Sequence, residues 1–121
     1  MKKITYLLLV FNLGLLYAQQ NIGLSLSKAT HDFGDIKVGD QVSVDLELIN
    51  NSDSPLLIDA IQTQCGCTTT EKPVEPILPQ SKKTIKVTFD STGKEGFIRK
   101  SVTIVSSQGT EFFVFTANII Q

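Results

Sequence analysis

Apolar and polar residues alternate with a period of two along much of this chain. In Val42-Ser43-Val44-Asp45-Leu46-Glu47-Leu48 the apolar side chains share one face and the polar ones the other, and Thr84-Ile85-Lys86-Val87-Thr88-Phe89 repeats the arrangement. That alternation belongs to half-buried strands. A helix needs apolar residues three and four apart, and no long stretch offers them. Turn-forming clusters punctuate the pattern at Gly34-Asp35, Gly39-Asp40, Asn50 to Pro55, Pro76 to Ser81, Ser91-Thr92-Gly93 and Gln108-Gly109. The spacing predicts strands near 24–31, 42–50, 56–64, 68–71, 82–90, 97–106 and 111–120. This predicts an all-β fold, a sandwich of about seven antiparallel strands in two packed sheets. Leu56-Leu57-Ile58 and Phe112-Phe113-Val114-Phe115 are apolar on both faces, which predicts strands covered on both sides. The expected core is Phe33, Ile36, Val42, Val44, Leu46, Leu48, Ile58, Ile85, Val87, Phe89, Val102, Ile104, Phe113 and Phe115.

The N-terminus has a different pattern. Lys2 and Lys3 precede a mostly apolar run from Ile4 to Leu16, and the small residue Ala18 follows. This order is that of a secretory signal peptide cut after Ala18. The run is shorter than the ~20 residues needed to span a bilayer. The expected organisation is a signal peptide at 1–18, a short linker at 19–23 and one domain at 24–121, exported to the periplasm or beyond the cell, with no membrane span in the mature chain. Removing Lys2 and Lys3 leaves nine basic against twelve acidic residues, a net charge of −3. Without a basic patch, nucleic acid is excluded as a partner.

Candidate chemistry is confined to one tripeptide. The only two cysteines are Cys65 and Cys67, in Cys65-Gly66-Cys67-Thr68. In an exported chain such thiols tend to oxidise. A bridge closing a three-residue loop contributes only about 1.6 kcal/mol by chain entropy, so it is a weak staple. A local disulfide is one reading. A Cu(I) site is a second, because two thiolates suit that soft ion; His31, the single histidine, is too little to complete a zinc site. Thiol exchange is a third, although neither Cys-x-x-Cys spacing nor a helix N-terminus supports it. Gly66 and Thr68 become candidates for contact with a partner.

Other signals have plain structural readings. Asp32-Phe33-Gly34 shares letters with a kinase metal-binding triplet, but the other kinase motifs are absent. Phe33 reads as core and Gly34 as a structural turn. Asp45 and Glu47 share an outward strand face and need no catalytic role. Asp90-Ser91-Thr92 resembles a short O-glycan acceptor and equally an ordinary turn.

Several segments together resemble a known family. They are His31 to Ile36 with Gly39, the strand end Leu48-Ile49-Asn50-Asn51-Ser52, the Cys65-Gly66-Cys67-Thr68 motif, the Pro79 turn, and Val87 to Asp90 followed by Gly96. The chain from about 24 to 121 is similar to the bacterial domain of unknown function 1573. One departure is Gln80, where the turn usually carries glycine. The resemblance implies an immunoglobulin-like β-sandwich and no particular activity. The expectation for function is an exported non-enzymatic module, structural or binding another envelope or secreted protein, with a copper- or thiol-handling protein as the alternative.

Overall fold

The computed structural model describes residues 23–121. The expected signal peptide, and all of the expected linker except Gly23, lie outside the described residues. Eight strands follow one another: β1 (Leu24–Leu26), β2 (Thr30–Lys37), β3 (Gln41–Asn50), β4 (Ile58–Thr63), β5 (Thr68–Thr70), β6 (Lys82–Asp90), β7 (Gly96–Ser106) and β8 (Gly109–Ile120). They form two four-stranded sheets, ordered β1-β3-β6-β5 and β2-β8-β7-β4. No helix occurs among the described residues. The all-β sandwich is therefore as expected, with two departures in detail.

The single strand expected at 24–31 is two strands in different sheets. Ser27 ends β1: its amide donates to the Glu47 carbonyl at 3.0 Å, and its hydroxyl accepts from the Glu47 amide at 3.0 Å. After Ala29 the chain crosses to the other sheet, where β2 runs parallel to β8. The sandwich is thus not antiparallel throughout. Period-two alternation cannot reveal this, because it marks a strand's two faces and not its neighbour's direction.

Gly34 lies inside β2, not in a turn between strands. The β2–β8 register shifts between Asp32 and Asp35, and Gly34 has φ +73° at this bulge, a conformation suited to glycine. Side chains tie β2 to β8 on either side of the bulge. Asp32 Oδ1 accepts from the Gly34 amide and the Thr116 hydroxyl, and Asn118 donates to Asp35. Phe33 is half-buried and packs edge-on against Phe115, with centroids 5.6 Å apart.

The core sits between the sheets. Leu46, Leu48, Val87, Phe89, Val102, Ile104, Phe113 and Phe115 are fully buried, each on an inward strand face. Val42, like Phe33, packs only partly buried against this cluster. Pattern reading missed Leu24, Leu56, Ile77, Ala117 and Ile119. Leu56 and Ile77 lie outside every strand and pair with each other through two backbone hydrogen bonds of 2.9 and 2.8 Å. The run Phe112–Phe115 is not covered on both sides: Phe113 and Phe115 are buried, but Phe112 is 59% exposed. Leu57 likewise faces outward.

Two buried polar residues join the loops to this frame. Asn50 is fully buried at the end of β3. Its Nδ2 donates to the carbonyls of Ser54 (2.8 Å) and Ile77 (2.9 Å), and its Oδ1 accepts from the Ser52 amide and hydroxyl. Both donors and both acceptor positions of the carboxamide are occupied. Ser91 is also fully buried, with its hydroxyl against the carbonyls of Lys37 and Asp40. That burial removes Ser91 as a glycan acceptor. Its neighbours make the turn instead, with the Thr92 amide donating to Asp90 and the Lys94 amide to the Ser91 carbonyl.

Three expectations follow. Asn50→Ala strands several buried groups at once and lowers unfolding free energy by about 2–4 kcal/mol, measured by urea denaturation. Gln80 sits at the third position of the Leu78–Ser81 turn with φ +58°, and its side chain donates to the carbonyls of Asn51 and Ser52. Gln80→Ala and Gln80→Gly both lose those bonds, but only alanine keeps the left-handed strain, so the glycine variant is the more stable of the two by about 1 kcal/mol. Finally, Asp32 and Asp90 are held below the ordinary 3.8, chiefly by the Gly34 and Thr92 amides respectively. Depressed carboxyl pKa values give stability that is present above the unfolded pKa and lost as pH falls through the folded one. An Asp32→Asn/Asp90→Asn variant is therefore less stable than wild type at neutral pH, and the gap narrows below about pH 4 in acid titrations followed by circular dichroism.

Candidate functional site

The two cysteines lie where the chain leaves one sheet for the other. β4 is an edge strand of the second sheet and β5 an edge strand of the first, so residues 64–67 cross between the sheets at one side of the sandwich. Cys65 and Cys67 are joined by a disulfide, with Cα atoms 5.2 Å apart.

Each residue of this crossing except Gly66 has a fixed partner. Gln64 Oε1 accepts from the Ser101 amide at 2.8 Å, taking the place of a strand just where β4 ends. The Cys65 carbonyl accepts from the Thr68 amide and the Thr63 hydroxyl. The Cys67 carbonyl accepts from the Asp90 amide at 2.9 Å, which starts the β5–β6 ladder. Cys67 packs against the core, and Thr68 is buried with its hydroxyl 3.9 Å from both sulfurs.

Gly66 differs from its neighbours. It is exposed, it is not among the glycines with positive φ, and a Cβ built there meets nothing within 4 Å. Neither backbone conformation nor crowding demands glycine. The apex of the loop is simply bare.

The remaining sequence candidates do not converge on the cysteines. His31 is on β2, the far edge of the second sheet, with β8 and β7 between it and β4. At about 4.8 Å per strand, that is well beyond a shared ligand shell. Its ring instead lies 4.7 Å from that of Phe33. Phe33 and Gly34 belong to that same distant edge. Among the described residues, no group of three or more His, Cys, Asp or Glu side chains is placed to hold a metal ion. No described helix is long and apolar enough to cross a membrane.

Sequence reasoning missed a second surface feature. β5 pairs with β6 only from Val87 to Phe89, so the first half of β6 has no neighbour on that side. A groove lined by residues of 69–78 and by the start of β6 lies beside it. The one available signal was the brevity of Thr68-Thr69-Thr70 next to the Pro-rich segment Pro73 to Pro76.

Solved structures of similar shape place the fold. A PapD-like (ASH) domain of human CEP192 superposes with a TM-score of 0.70 at 10% identity, covering 83% of this chain and 87% of that one. WR4, an MSP family member of C. elegans, matches at 0.63 and 10% identity over 80% and 99% of the two chains. A protein of unknown function from Porphyromonas gingivalis W83 matches at 0.66 and 16% identity; it covers 84% of this chain, which spans half of that one. At these identities the likeness establishes an immunoglobulin-like fold. No curated protein is significantly similar to the chain. A family match covers residues 24–119, essentially every described strand: the chain belongs to the family described as Protein of unknown function (DUF1573).

Proposed function

We propose that the chain is an exported, non-enzymatic binding module that presents the Cys65–Cys67 loop to another envelope or secreted protein. The observation that carries this reading is the contrast within the loop. Every flanking residue is held by a hydrogen bond or by the core, while Gly66 is bare, exposed and under no conformational demand. A rigid loop with an unobstructed apex lets a partner's backbone approach closely, and rigidity lowers the ordering cost of binding. The order of charge, apolar run and small residue at the N-terminus supports export, and so does the bridged state of the cysteines.

A copper- or thiol-handling role is the second reading, favoured by two adjacent cysteines that are each only partly buried. It requires reduction of the bridge first, and then offers two thiolates, a donor set suited to Cu(I).

Gly66→Trp separates these readings. On the binding-module reading, the variant unfolds at the same denaturant midpoint as wild type, because the added ring projects into open space, yet loses a saturable complex that wild type forms in envelope extract. Unchanged complex formation by Gly66→Trp would sink this reading. If instead the reduced wild type competes with a chelator for Cu(I), and Cys65→Ser/Cys67→Ser loses both that binding and the cellular phenotype while folding normally, the second reading replaces it.

A further inference from the structure

The unpaired half of β6 is a backbone hydrogen-bonding edge beside a groove. The β3–β6 register pairs Leu48 with Lys83, Leu46 with Ile85 and Val44 with Val87, and the Asn50 amide bonds the Ser81 carbonyl. Odd-numbered β6 residues therefore direct their N–H and C=O groups to β3, and even-numbered ones direct theirs to the opposite edge. The Asp90 amide, bonded to Cys67, marks that second side. β5 ends opposite Val87. Beyond it, among the described residues, the main-chain N–H and C=O of Lys82 and Thr84 and the N–H of Lys86 have no hydrogen-bond partner on the outer side.

What should cover this edge is held away from it. After Thr70 the chain leaves β6, and Ile77 is held by its bridge to Leu56 and by the Asn50 side chain, which donates to its carbonyl. A groove of about 920 Å³ is left between the departing segment and β6. Along it Val74 is 91% and Leu78 64% exposed, while Ile85 points into the core. Thr70 Oγ1, at its head, is the one buried side-chain polar atom without a partner among the described residues.

Side-chain alternation gives the occupant's chemistry. A strand added here would turn alternate side chains to the Ile85 face, along a groove that also exposes the apolar Val74 and Leu78, and the others to the face of Lys82, Thr84 and Lys86. The groove lining carries four lysines and two glutamates, a local excess of positive charge on a chain that is acidic overall. Glu47, which pairs with Lys82, and Asp45, opposite Lys86, stand on the β3 side, away from the groove. A second copy is a poor occupant: antiparallel pairing of two β6 edges about Thr84 sets Lys82 against Lys86 twice, and like charges directly opposite destabilise a sheet.

We infer that the Lys82–Lys86 edge of β6 accepts an extended segment of a partner protein, alternating apolar and acidic residues, as an added strand. This deepens the binding-module reading and rests on it, but uses a surface distinct from the Cys65–Cys67 loop.

The test uses the chain purified after export and a capped synthetic peptide alternating Val and Glu, with binding followed by fluorescence anisotropy and amide hydrogen exchange. The inference expects saturable binding and slowed exchange at Lys82, Thr84 and Lys86, with no change at Lys83 and Ile85, which already bond β3. An alternating Val and Lys peptide, or a Val and Glu peptide N-methylated on its edge-facing amides, should bind at least about tenfold more weakly. Thr84→Pro removes one edge donor without touching a β3 bond, and should also weaken binding. Lys82→Glu/Lys86→Glu keeps every backbone group and should weaken it about tenfold, even if the proline variant fails to fold. Absence of protection at the three amides, equal binding of the lysine peptide, or dimerisation of the chain through β6 overturns the inference. A natural partner whose footprint covers Cys65 to Thr68 and leaves the edge exchanging freely also overturns it, while the binding-module reading stands.

Discussion

The buried carboxamide of Asn50 is the interaction on which the layout of one whole side of the molecule depends. It gathers Ser52, Ser54 and Ile77 around the end of β3. By fixing the Ile77 carbonyl, and with it the Ile77–Leu56 bridge, it determines where the chain travels between β5 and β6. A hydrophobic contact alone would not fix that path, because apolar attraction has no direction. A saturated amide does, since moving any of its partners leaves a buried polar group unsatisfied. The open β6 edge is a consequence of this anchoring at a distance.

The crossing from β4 to β5 solves a related problem differently. A segment passing between sheets leaves one ladder before it enters the next, so most of its backbone groups need other partners. Thr63 and Thr68 supply them to the Cys65 carbonyl and Asp90 to the Cys67 carbonyl, the Gln64 side chain in turn accepts from the Ser101 amide, and the disulfide closes the loop. The result is a short connection with almost no slack. Its exposed tip is shaped by its neighbours' constraints rather than by its own residue type.

Much of the fold was legible in the residue pattern. β3 and β6 alternate cleanly, and their inward residues are the core. The family resemblance, carried by the Asn50-Asn51-Ser52 strand end and the Cys65-Gly66-Cys67-Thr68 motif, matches the family assignment. Pattern reading failed where burial does not follow a period. Leu56 and Ile77 are buried by a single bridge between irregular segments. Phe112 to Phe115 looked covered on both sides because the run is apolar on both faces, yet the face that carries Phe112 lies open. Gly34 looked like a turn because glycine marks both turns and bulges, and only the β8 register distinguishes them. Gln80 is informative in the other direction: a missing glycine in the resemblance corresponds to a non-glycine residue at φ +58°, held by two side-chain bonds that glycine could not make. The open edge was barely legible, because it depends on which strand ends early, and only the brevity of Thr68-Thr69-Thr70 before Pro73 hinted at it.

The position of β1 has a mechanical consequence. It meets β3 over only three residue pairs, whereas β3 meets β6 over nine. Any pull applied to the chain at Gly23 loads that three-residue ladder first. β1 is therefore the strand that such a load would detach first, ahead of the longer ladders among the other seven.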